Sequence, residues 1–177
     1  MTDKKMALLF VNDFTDRGGE KFFVVSNNAA HEVSADDVVR QDAELICHDY
    51  WLIAPALYKK TKQLPKFVTD VEELRISTSG RREDRENRDS KDVCSILLER
   101  QLLEEEVVGR YRNIAFKNAA PDMSIFTLVG EALVRLSDEV EAKAKAANEW
   151  ERYLTIERPV SDYLIRSAAD GIAINST

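Results

Sequence analysis

Apolar residues come in short blocks along the first part of the chain and at helical spacing along the second. Lys5–Phe14 contains the run Met6 to Val11 and predicts a first strand. Lys21–Val25 is rich in aromatic and β-branched residues and predicts a second. Arg17-Gly18-Gly19 between them signals a tight turn, so the pair reads as a hairpin that Asn27-Asn28 ends. Ser34 then opens a short helix, with Asp36 and Asp37 at the positive end of its dipole and Val38 and Val39 facing inward.

The stretch Asp42–Leu57 is the most informative in this half. Leu45, Ile46 and Cys47 make Glu44–Cys47 a short buried strand. Leu52, Ile53, Ala56 and Leu57 then fall on one face of a helix over Tyr50–Tyr58, with Asp49 as its N-cap and Pro55 awkwardly inside it. His48 and Asp49 occupy the strand-to-helix junction, a place where α/β proteins often carry chemistry. Phe67–Thr69 predicts another brief strand, and Asp70 caps a turn of helix through Leu74.

Helical periodicity takes over after Asp92. Val93–Val108 predicts one helix that ends or kinks at Gly109, and Ile114–Phe116 begins another buried piece. Pro121 and Asp122 suit a helix start. Beyond them Ile125, Leu128, Val129, Ala132, Leu133, Leu136 and Val140 form an inward stripe. Glu141–Asn148 is more polar, Tyr153–Ile156 leads to Pro159, and a last helix covers Val160–Ala169. Asp170-Gly171 closes it, and Ile172–Asn175 starts an extended segment. This order predicts an α/β fold with a small mixed sheet and helices on its faces.

Composition narrows the picture. The 177 residues suffice for a sizeable core, and no apolar run is long enough to span a membrane. The N-terminus lacks a secretory apolar region, so a cytoplasmic, intracellular protein is expected. Cys47 and Cys94 read as reduced core residues, and the chain has no Cys/His spacing of a zinc site. A net charge of −7 argues against a chain-wide electrostatic grip on nucleic acid. Ser77–Asp92 contains no apolar residue and mixes Arg81, Arg82, Arg85 and Arg88 with acids, the composition of a solvated loop or insertion.

Three stretches share a resemblance. Ile156-Glu157-Arg158-Pro159 through Gly171-Ile172-Ala173-Ile174-Asn175 resembles the entry to the polymerase domain of family-A DNA polymerases, the bacterial DNA polymerase I type. Cys47–Leu57 resembles the second motif of the ribonuclease-H-like (DEDD) 3′–5′ exonuclease domain that precedes it in that family. Ala119–Asp122 resembles the last exonuclease motif, in which a tyrosine and an aspartate open a helix. The resemblance implies an exonuclease-like domain over residues 1–155, with the polar segment 77–92 inserted, and the start of a polymerase domain or a linker over 156–177. It implies DNA as a partner through a parent polymerase, a downstream polymerase domain, and no membrane.

The family's chemistry uses four carboxylates to hold two divalent metals. The first motif's acids fall on Val11-Asn12-Asp13, the second motif's aspartate on Ile53, and the last motif's tyrosine on Asn118. Asp13 and Asp122 alone are left as remnant metal ligands, each also explicable as a turn or helix-start residue. Mg²⁺ or Mn²⁺ is expected only if some metal binding survives there. The expectation is thus a catalytically inactive exonuclease-like domain that supports a polymerase module in DNA replication or repair. The alternatives are a metal-dependent nuclease that regroups Asp13, Asp49, Asp70 and Asp122, or a stand-alone adaptor that binds a partner through the Ile125–Val140 stripe.

Overall fold

The computed structural model describes residues 4–13, 19–78 and 92–171. Five strands form one mixed sheet: β1 (Lys5–Asp13), β2 (Gly19–Ser26), β3 (Ala29–Val33), β4 (Glu44–Cys47) and β5 (Val68–Asp70). Their order across the sheet is β3-β2-β1-β4-β5. β1, β2 and β3 form an antiparallel meander, and β4 and β5 add to β1 in parallel. The parallel strands require crossovers. α1 (Ala35–Val39) lies between β3 and β4, and α2 (Tyr50–Thr61) between β4 and β5. α3 (Val71–Thr78), α4 (Val93–Glu99), α5 (Glu105–Lys117) and α6 (Met123–Ala146) follow. α7 (Trp150–Arg152), a π-helical turn (Tyr153–Glu157) and α8 (Arg158–Asp170) close the chain.

Alternation along β1 assigns its side chains to two cores. Ala7, Leu9 and Val11 face a cluster with Phe23, Val25 and the inner stripe of α6. Met6 and Leu8 face a second cluster with Val24, Leu45, Ile53, Ala54 and Leu57. Both faces of the sheet are therefore covered, as parallel pairing demands. The α6 stripe is spent on the sheet: Ile125, Phe126, Val129, Ala132, Leu133 and Leu136 are all buried. Leu128 departs from the expected stripe and is exposed, because Phe126 takes the inward position. Cys47 and Cys94 are free and buried.

Several boundaries differ from the sequence reading. β3 was not expected. Asn27 and Asn28 both adopt positive φ, 50° and 59°, so they turn the chain into another hairpin arm instead of ending the pair. The expected helix Val93–Val108 is two helices, broken around Gln101 at φ 55°, and α5 runs through Gly109 and Ile114–Phe116 without interruption. On α2 the buried face is Tyr50, Ile53, Ala54 and Leu57, while Leu52 is exposed. From Trp150 to Asp170 the backbone stays helical across positions 155 and 156, and Ile165 is buried in the core that α2 shares. The turn residues Arg17 and Gly18, most of the polar segment (79–91) and Ile172–Asn175 lie outside the described residues.

Candidate functional site

β1 and β4 are parallel neighbours paired from Lys5↔Glu44 to Ala7↔Ile46, so β4 ends at Cys47 while β1 runs on past it to Asp13. A pocket of about 290 Å³ lies there. Asn12 reaches it from β1, His48 and Asp49 from the end of β4, Leu52 and Ile53 from α2, and Asp92 from the start of α4. Its floor is apolar, with Leu9, Phe10, Tyr111, Ala115, Phe116 and Leu133 among the lining residues. Crevices beyond the carboxyl ends of parallel strands are where open α/β sheets bind ligands.

The junction that forms this pocket is held from β5. Asp49 precedes α2 at φ 60°, ψ 64°, and its side chain makes no capping bond, contrary to expectation. Asp70 caps the helix instead. Its carboxylate accepts the N–H of Asp49 at 3.2 Å and of Tyr50 at 2.8 Å. The same carboxylate accepts the N–H of Glu72 at 2.9 Å and of Glu73 at 3.4 Å, at the start of α3. One buried side chain thus serves the first turns of two helices, where free N–H groups concentrate. Burial pushes the Asp70 carboxyl above its ordinary value, while these donors and the nearby His48 pull the other way. The Asp70 N–H in turn donates to the Tyr153 hydroxyl at 2.9 Å, which ties the π-helical turn to the end of β5.

His48 lines the pocket and also meets α3. Its Nε2 is 3.6 Å from a Glu72 carboxylate oxygen, and Glu72 already accepts two bonds from the Arg75 guanidinium at 2.9 and 2.8 Å. Asp92 caps α4, accepting from the Ser95 N–H at 3.1 Å, with the Arg112 guanidinium 3.4 Å away. Its carboxyl is held below the usual value by the Ser95 bonds and Arg112, which outweigh the opposing effect of burial. Sequence reading assigned Asp92 to the polar segment. The Asp92-x-x-Ser95 spacing was the available sign of a cap.

Asp122, one of the two remnant metal candidates, is elsewhere. It caps α6, accepting from the N–H groups of Ser124 at 3.0 Å and Ile125 at 3.3 Å, and pairs with Arg110 at 2.6 Å. The Ser124 hydroxyl and these N–H groups hold its carboxyl below the ordinary value. Asp122 does not line the pocket. Asn118 ends α5 at φ 53° and is exposed. Asp13 is the last residue of β1, and its side chain lies outside the described residues. Ile53 does line the pocket and is 3% exposed. Among the described residues no group of three or more His, Cys, Asp or Glu is arranged to hold a metal ion. Of the regrouped set, Asp70 is used by four backbone N–H groups, Asp122 by α6 and Arg110, and Asp49 lines the pocket, while the side chain of Asp13 lies outside the described residues.

No family model, curated protein or solved structure matches the chain. Among the described residues no helix is long and apolar enough to cross a membrane.

Proposed function

We propose that this chain is a catalytically inactive, ribonuclease-H-like 3′–5′ exonuclease domain of the kind found in family-A DNA polymerases, serving to support a polymerase module. One observation carries the reading. Asn12 and Ile53, on which the first and second exonuclease motifs fall, line the same pocket where β1 runs on past the end of its parallel neighbour β4. The motif spacing thus agrees with the three-dimensional arrangement, while the residues it brings together cannot ligate two hard cations. The strand order and directions support the fold side of the reading, since a meander extended in parallel by two strands with helical crossovers is the ribonuclease-H-like layout.

A support role needs an outward contact surface. α8 and the turn before it offer exposed Ile156, Val160, Tyr163 and Leu164 at helical spacing, suited to a module that packs alongside. The adaptor alternative loses the stripe it rested on, because α6 buries it against the sheet.

The test is digestion of a 3′-labelled single DNA strand by the purified chain with Mg²⁺ or Mn²⁺. No shortening above the metal-free control is expected. Processive 3′ shortening that disappears in Asp49→Ala or Asp122→Ala would overturn the inactive reading.

A further inference from the structure

A second cavity, of about 400 Å³, lies at the other side of β5, between the chain entering that strand and the first turns of α8. Lys66, Glu44, Arg158 and Asp162 bring charge to it, and Phe67, Val68, Leu154 and Pro159 line it with apolar surface. Nothing in the exonuclease-like reading uses this place.

The Thr69 hydroxyl donates to the Glu44 carboxylate at 2.6 Å, but other polar atoms beside the cavity are not accounted for within the fold. Buried polar groups are almost always hydrogen-bonded, and each exception calls for an explanation. Among the described residues, five buried side-chain polar atoms have no partner, and four lie along the seam where α8 meets α2, α3 and β5: Tyr50 Oη, Glu73 Oε2, Arg158 Nε and Asp162 Oδ1. Two of these belong to residues that line the cavity, an unused donor on Arg158 and an unused acceptor on Asp162. The two residues are one helical turn apart, the separation at which opposite charges usually pair. Among the described residues neither makes an ion pair within 4.0 Å. The Arg158 guanidinium instead sits 6.0 Å from the centre of the Tyr50 ring.

Arg158 Nε and Asp162 Oδ1 are themselves closed to solvent, so a group bound in the cavity meets the remaining guanidinium nitrogens of Arg158 and the other carboxylate oxygen of Asp162, and must present an acceptor to the first and a donor to the second. The cavity's ionisable lining, Lys66 and Arg158 against Glu44 and Asp162, is formally balanced, so a bound molecule that is itself balanced leaves no net buried charge. The apolar lining calls for a hydrocarbon body. We propose that the cavity between β5 and α8 binds a small apolar α-amino acid as its zwitterion. The carboxylate takes the Arg158 guanidinium, with Lys66 at its side. The ammonium donates to Asp162, and the side chain lies against Leu154 and Val68.

The proposal is tested by following the Val68 and Leu154 methyl resonances of the full chain with three probes of matched carbon skeleton: L-leucine, 4-methylpentanoate, which lacks the amine, and 3-methylbutylamine, which lacks the carboxylate. L-Leucine should give saturable shifts at both residues, and each single-headed probe should bind at least about tenfold more weakly. Arg158→Gln should weaken L-leucine and 4-methylpentanoate together, while Asp162→Asn should weaken L-leucine and spare 4-methylpentanoate. Each variant's methyl spectrum, compared with that of the parent, reports whether the fold is kept, and the probe series on the parent chain stands without either variant. Absence of saturable shifts with L-leucine at millimolar concentration overturns the proposal. Equal binding of the three probes, or L-leucine binding unchanged in both variants, overturns it as well.

Discussion

Helix α6 lies close against β2 at Gly130, and replacing that residue tests the packing directly. A Cβ built there would lie 2.5 Å from Val25 Cγ2, 2.6 Å from Val25 Cβ and 2.9 Å from Val25 Cγ1. Favourable carbon contacts begin near about 3.5 Å, so the helix must withdraw by roughly 1 Å or β2 must yield. Val25 has little freedom to move, because it is paired with Ala7 on one side and Ala30 on the other. Rotating its side chain carries the γ carbons away but leaves its Cβ in place. Alanine gains about 1 kcal/mol over glycine inside a helix, whereas overpacking costs typically about 1–3 kcal/mol. With three atoms in conflict the upper part of that range applies, and Gly130→Ala should destabilise the chain by about 1–2 kcal/mol net. Gly109 in α5 is the internal control, since a Cβ there meets nothing within 4 Å. Gly109→Ala should stabilise by about 0.5–1 kcal/mol. Urea unfolding of the two variants, compared at constant m, measures both. A Gly130→Ala midpoint at or above that of the parent, moving with Gly109→Ala, would refute the close approach of α6 to β2.

Three further outcomes follow from the polar core and the pocket. Tyr153→Phe leaves the buried Asp70 N–H without its acceptor and should cost about 1–3 kcal/mol in the same unfolding assay, with an unchanged midpoint as the contrary result. Burial raises the Asp162 carboxyl above its ordinary value against the pull of Arg158 and Arg166, so the folded state holds that proton to higher pH than the unfolded chain does. Asp162 then lowers stability as pH rises from the ordinary carboxylate range through its raised value. Asp162→Asn should accordingly gain on the parent more at pH 7 than at pH 3, and a gain independent of pH would contradict this. Ile53→Asp places a carboxylate at a residue 3% exposed and should destabilise by about 3–5 kcal/mol. Millimolar Mn²⁺ should not restore its midpoint, and a recovery would reveal a working metal shell.

What the sequence disclosed and what it hid divide along the range of the interactions involved. Strand β4 and the helix after it were legible because a block of apolar residues and a helical stripe are local signals, and Ser34 was legible as a cap because the Asp37 N–H it serves is three residues away. The cap of α2 was not. Asp49 had the right residue type in the right place, yet the bonding carboxylate is that of Asp70, brought alongside only when β5 pairs with β4 and aligns Asp70 with Cys47. The strand β3 was lost for a different reason: Ala29–Val33 is short, lies at the sheet edge and buries only Ala30, so it carries little apolar periodicity. The candidate site shows both effects together. The His48–Asp49 junction could be located locally, as the place where a short apolar strand runs into a helix. Asp92 joins it from far along the chain, and Asp122 leaves it to cap α6. Motif spacing counts residues, whereas a carboxylate's role is set by the nearest unsatisfied donor. For Asp70 those donors are two helix starts, for Asp92 and Asp122 one each with an arginine, and Asp49 is the carboxylate facing the pocket that none of these capping bonds engages.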